Sequence, residues 1–286
     1  MLIVVGCVIV LATVMGGYAM HHGPFGILWQ PSEFVIIGGA AIGATVVMAP
    51  MPILKKLVRG LVQSFKGSAN RKSYLALLVT LYRLIKVAAY QGANGLEPHV
   101  ERPEESDILS ANKELMKDHH ALEFFCDTVK VIIIGGVPEH QIAELVDVSM
   151  ETHAHESEEP VQVLTRVADS LPGLGIVAAV LGIIITMQHI NGSPEEIGHS
   201  VGAALVGTFL GVLAAYGFLG PLAANLEFRS RESHHMYNCM RGCVLAYARG
   251  FHPLVCAEFG RRTLPSHLRP SFQQLEQACR EEGKTP

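Results

Sequence analysis

The sequence predicts an all-α membrane protein with four transmembrane helices and a helical cytoplasmic domain between helices 2 and 3. Three observations lead there. Charged residues make up only 17% of the 286, below the roughly 25% usual in soluble domains. All 22 Lys and Arg fall in two blocks, 55–166 and 229–284. The basic-free stretches before and between those blocks hold four long apolar runs.

The runs cover about 2–20, 34–51, 171–190 and 201–222. A bilayer core of about 30 Å takes about 20 residues at 1.5 Å each. Each run fits, the second with least to spare. Buried helices of a soluble protein would carry a polar stripe, and these do not. The first run has no positive flank and is long for a secretory leader, so it reads as a retained membrane helix. The chain then divides into transmembrane helices 1 and 2 (1–54), a cytoplasmic domain (55–168), transmembrane helices 3 and 4 (169–226) and a cytoplasmic tail (227–286).

Basic residues concentrate on the cytoplasmic side of membrane proteins, which places both blocks and both termini inside. The short loops at about 21–33 and 191–200 face outward, and the acids Glu33, Glu195 and Glu196 are their only Asp, Glu, Lys or Arg residues. Lys55, Lys56, Arg59, Arg229 and Arg231 flank the inner helix ends, within reach of anionic lipid headgroups. The six cysteines are scattered over cytoplasmic and membrane segments, which argues against disulfides. Net charge is near neutral, giving no electrostatic reason to expect nucleic acid.

The inserted segment reads as helical. Leu75, Leu78, Leu81, Leu84 and Ile85 recur at steps of three and four. A second amphipathic helix covers 120–134 and is stopped by Gly135-Gly136. Pro138 opens a third that runs to about 159, and Pro160 begins the segment leading into the membrane. The insertion should extend the membrane bundle.

Helices 3 and 4 carry the most pattern. Pro172, Gly175, Ala179, Gly182 and Thr186 share one face of the third. Ala204, Thr208, Gly211 and Ala215 form a matching strip on the fourth, with Gly207 and Gly211 in a GxxxG spacing that permits close backbone approach. Pro172 and Pro221 stand near the inner ends, where a proline frees backbone carbonyls inside a bundle. No run carries an ionisable residue near its middle. Ion carriers normally place one in the membrane, so a passing ion requires a titrating group from another subunit, for whose helix the small-residue face is a plausible seat.

At this point the chain resembles the MotA family of flagellar stator ion-channel subunits. The resemblance rests on Gly16-Gly17-Tyr18 with Trp29-Gln30-Pro31-Ser32-Glu33-Phe34. It rests equally on Asp169-Ser170-Leu171-Pro172-Gly173-Leu174-Gly175, on Val206-Gly207-Thr208-Phe209-Leu210-Gly211, and on Glu258-Phe259-Gly260-Arg261-Arg262. It covers nearly the whole chain. It implies five such chains around two MotB chains, each with a single membrane helix carrying an aspartate. Ion passage would turn the ring against the rotor protein FliG. It also implies that Pro172 and Pro221 couple ion flow to movement, that Thr208 lines the ion path, and that Glu97 is an acidic rotor contact. The family's basic contact falls near Ala89, where no basic residue stands; Arg83 or Lys86 would substitute. Sodium-driven relatives carry a threonine where this chain has Ala179. Alanine offers no oxygen to a hard cation, so the expected ion is the proton.

Two other readings compete. TolQ/ExbB-like relatives use the same ion chemistry to energise an outer-membrane process, usually with three membrane helices. The run Glu151-Thr152-His153-Ala154-His155-Glu156 suggests a metal protein or membrane enzyme. However, His153 and His155 are two apart and point to different helix faces, which favours a solvated face. His21-His22 and His119-His120 read as surface or interface pairs. No nucleophile-base-acid set, phosphate loop or dinucleotide fingerprint is present, so neither enzyme chemistry nor a cofactor or metal is expected.

Overall fold

The computed structural model describes residues 2–65, 70–188, 190–191 and 193–282. His189, near the end of the third apolar run, and Lys284, the limit of the second basic block, lie outside the described residues. Every regular element among the described residues is helical.

The chain opens with α1 (Leu2–Met20), the short α2 (Phe25–Leu28) and α3 (Pro31–Met48). α4 (Met51–Ser64) follows a break at Ala49, whose extended backbone precedes Pro50, as proline demands of its predecessor. α5 (Arg71–Gln91) starts at a reciprocal cap. Asn70 Oδ1 accepts from the Lys72 and Ser73 amides at 2.8 and 3.1 Å. Then come α6 (Glu97–Glu101), α7 (Lys113–Lys117) and α8 (His119–Ile134). α8 stops where Gly135 and Gly136 take φ of 72° and 73°, a region open to glycine at little cost.

The next helix departs from expectation. In place of a boundary at Pro160, one 49-residue helix α9 (Glu139–Met187) contains both Pro160 and Pro172. An interior proline costs about 3 kcal/mol. Here Pro160 is buried, and Val161, Val163 and Leu164 beside it share a core with Ala49, Leu57, Ala223 and Leu226. Burying such side chains returns roughly 1.5–3 kcal/mol each, so the helix continues.

α10 (Pro194–Val212) starts at a second reciprocal cap, Ser193 with Glu196. It runs into a π-helical segment (Leu213–Leu219) and then α11 (Gly220–Ala248), α12 (Pro253–Thr263) and α13 (Phe272–Glu282). In the π segment the Gly220 amide bonds back to the Ala215 carbonyl. The widened turn sits just before Pro221, whose ring would clash with the carbonyl four residues back in a regular helix.

Among the described residues, five helical stretches are long and apolar enough to cross a membrane: Leu2–Met20, Phe25–Met48, Arg71–Gln91, Glu139–Met187 and Pro194–Ala248. The third of these was not among the four expected. It carries Arg71, Lys72, Arg83 and Lys86, and its apolar face is used in a protein core.

Two compact units form. One comprises Met1–Gly67 with Glu156–Arg229. Its second core joins Ile37 and Ala41 of α3 to Leu171 and Ala178 of α9 and to Ala215. α1 buries none of its residues. The other unit comprises Ser68–His155 with Ser230–Pro286. There the tail helices α12 and α13 pack on α5, around Leu78, Leu81, Leu264 and Leu275, all fully buried. Arg241 of α11 clasps Asp147 of α9 through two bonds of 2.6 and 2.9 Å. The tail and the inserted segment thus share a core of their own.

Candidate ion-path site in the membrane bundle

The small-residue strips of α9 and α10 meet each other. A Cβ at Gly175 would fall 2.7 Å from the Gly207 carbonyl oxygen and 3.1 Å from Gly211 Cα. One at Gly211 would fall 2.5 Å from the Leu171 carbonyl oxygen, and one at Gly182 would fall 2.8 Å from Ala204 Cβ. At Gly175 and Gly211 the approach is backbone to backbone, which any side chain would prevent. The strip is therefore filled within the chain, and the expectation that a partner's helix seats on it is corrected. The faces left uncovered carry Ile176, Val177, Val180 and Ile184.

The other predicted residues lie around this seam. Ala179 is buried, with its amide 3.1 Å from where a Gly207 Cβ would stand. Thr186 is buried and donates its hydroxyl to the Gly182 carbonyl at 2.9 Å. Ala204 and Ala215 are buried, Pro172 and Thr208 half-buried, and Pro221 exposed.

Sequence reading missed one residue. The charge pattern puts Glu33 in an outer loop. Instead Glu33 belongs to the first turn of α3 and is only 6% exposed. Its carboxylate lies against Gly207, in the space a Cβ would fill. Its Oε2 has no hydrogen-bond partner. Gly207 stands six residues into the fourth apolar run, roughly 9 Å along the helix. The available signal was Pro31, since proline favours the first position of a helix and so moves the helix start ahead of Glu33.

The residues named as rotor contacts all lie in the other unit. Glu97 is exposed at the start of α6. Arg83 and Lys86 are half-buried and line a shallow cleft with Tyr82, Tyr90 and Asp107. Ala89 and Tyr90 are exposed.

The histidine cluster behaves differently from a solvated face. His153 is half-buried and stacks on Tyr237 with ring centroids 4.2 Å apart, with His234 at 5.7 Å and His120 at 6.3 Å. His155, two residues on, is exposed. Burial pushes the Tyr237 hydroxyl above its usual range. Among the described residues, no three His, Cys, Asp or Glu side chains converge to hold a metal.

Fold and seam together define a multi-span helical membrane protein whose bundle closes on small residues and encloses a carboxyl group. Residues 4–92 match the model for the motility protein A N-terminal region, and residues 112–238 match that for the MotA/TolQ/ExbB proton channel family. The chain is 41% identical to motility protein A of Salmonella typhimurium over 281 residues, covering 98% of this chain and 95% of that protein. It is 35% identical to chemotaxis protein LafT of Vibrio parahaemolyticus over 272 residues, covering 95% of each. The fold is similar to that in the structure of C. jejuni MotAB, with TM-score 0.76, 19% identity, and 94% of this chain and 98% of that chain covered. It is also similar to that in the flagellar MotAB stator complex from Bacillus subtilis, with TM-score 0.69, 22% identity, and 96% and 98% covered. The chain belongs to the motility protein A family, within the MotA/TolQ/ExbB proton channel family.

Proposed function

We propose that this chain is the ion-conducting stator subunit of a bacterial flagellar motor, coupling proton flow to torque on the rotor. The near full-length identity to motility protein A carries the reading. The similar solved folds are MotAB stator complexes, which supports a MotB-like partner here. In this reading five copies surround two partner chains, whose single membrane helices supply the aspartate that binds the ion. Four helices cross the bacterial inner membrane with both termini in the cytoplasm; Arg71–Gln91 stays outside because its basic residues suit water better than hydrocarbon.

Pro172 and Pro221 serve as coupling points. The π segment before Pro221 supports that role, since such a turn is a local departure from regular helix and is frequent at functional sites. Thr208 lines the ion path and Ala179, lacking a hydroxyl, favours protons over sodium. Glu97, with Arg83 or Lys86, meets the rotor protein FliG.

The test is swarm-plate motility of a deletion strain complemented with the wild type, Pro172→Ala and Thr208→Ala, across sodium concentrations and with a protonophore. Wild type should restore swarming, both variants should impair it, and the protonophore should abolish it at every sodium level. Normal motility in the deletion strain, with a membrane-energisation defect, would move the assignment to the TolQ/ExbB-like role. Sodium-dependent rotation that survives the protonophore would sink the proton assignment.

A further inference from the structure

We infer that Glu33 is a proton-exchanging group on the outer part of the ion path, working ahead of the partner subunit's membrane carboxylate. This rests on the stator reading above. Glu33 is more than nine-tenths buried inside a single protomer, so assembly with further copies cannot expose it more. One carboxylate oxygen has no hydrogen-bond partner. That oxygen occupies the place of a side chain at Gly207, between α3 and α10, with Ala178 and Ala179 of α9 behind it. The absent side chain at Gly207 therefore provides a cradle for the carboxyl.

Among the described residues, the helices packed around it bring no countercharge beside it. α3 has no other titratable residue, and α9 has none from 170 to 187. α10 carries Glu195, Glu196 and His199, all exposed and two or more turns outward of Gly207. α1 contributes Cys7 and Tyr18, and the turn after it His21 and His22. A carboxylate buried without a partner is costly, whereas the protonated acid is tolerated. Such a group holds a proton at rest and releases it only to a nearby acceptor.

The step balances. A water-borne proton bonds to a Glu33 carboxylate oxygen. That O–H bond then breaks as the proton passes to the partner's carboxylate, which leaves Glu33 ionised and ready to be refilled from outside.

A purely structural acid at this position would serve the helix N-terminus. It would bond the amides of its own first turn, whereas Oε2 bonds nothing and faces a different helix.

The experiment compares Glu33→Gln and Glu33→Asp in the full stator complex, in motors whose stator number is counted by a fluorescent tag. At low load and alkaline external pH, Glu33→Gln should slow rotation by about tenfold or more. At acidic external pH it should recover toward wild type, because direct protonation of the partner then bypasses the relay. Glu33→Asp should keep most of the speed. Equal speed at every pH, or an equal loss at every pH with normal stator number, overturns the inference. Should Glu33→Gln fail to assemble, infrared spectroscopy of purified wild-type and Glu33→Asp complexes reads the group directly. A carboxyl band that titrates and shifts in the Asp variant supports the relay, and no such band overturns it. If wild type itself fails to restore swarming, the stator reading falls instead.

Discussion

Adding one methyl group at Gly211 should separate the two central membrane helices. A Cβ there stands 2.5 Å from the Leu171 carbonyl oxygen, 2.9 Å from Gly175 Cα and 3.1 Å from the Gly175 amide nitrogen. All three neighbours are backbone, so no side chain can turn aside. Restoring ordinary contact at 3.4 Å requires the helices to part by about 0.9 Å. Overpacking of this kind costs about 1–3 kcal/mol, or roughly five- to 150-fold in the balance between packed and separated helices. Separation also withdraws Gly207 from Ala178, which lies 3.0 Å from the Gly207 Cβ position. The assay is thermal unfolding of the detergent-solubilised complex, with Gly173→Ala as control, since a Cβ at Gly173 meets nothing within 4 Å. Gly211→Ala should unfold at clearly lower temperature and Gly173→Ala should match wild type. Equal stability of the two variants would refute the account of the seam.

Two further outcomes follow from the other unit. Leu78 is fully buried among α5, α12 and α13, and Leu78→Ala should cost about 2–5 kcal/mol in denaturant unfolding; Tyr90→Ser, at a position 81% exposed, should cost almost nothing. Glu258 bonds Arg261 at 2.6 and 2.8 Å and Arg262 at 2.7 Å, and these hydrogen bonds hold its carboxyl below the usual range. Its folded state therefore binds the proton less tightly than the unfolded chain. The stabilisation is fully present above the unfolded carboxyl's pKa and is lost as pH falls through the lower, folded one. Glu258→Gln should flatten the acid limb of the stability curve, read by unfolding across acidic pH.

Local chemistry made much of the helix map legible in the sequence. Pro138 announces a helix start because its ring presets the backbone and it has no amide to leave unpaired. Gly135 announces a stop because it accepts a positive φ. The apolar runs and the confinement of Lys and Arg follow from the cost of desolvating charge, which acts residue by residue. Pro160 misled the reading, because local propensity says break and only the surrounding core outweighs it. Glu33 misled it for a related reason: a lone acid beside Pro31 looks like a surface residue until α10 is laid against it.

The sequence by itself determined that this chain is helical and membrane-embedded, with its basic residues confined to two blocks, and it placed glycine and alanine where helices approach. Those properties are sums over single residues or short windows. Only the tertiary structure decided that the two small-residue strips close on each other and that the tail joins the inserted segment in one core. It alone put a buried carboxyl where Gly207 has no side chain. These are pairings between residues far apart in the chain, beyond any short window, and no local pattern records which face meets which.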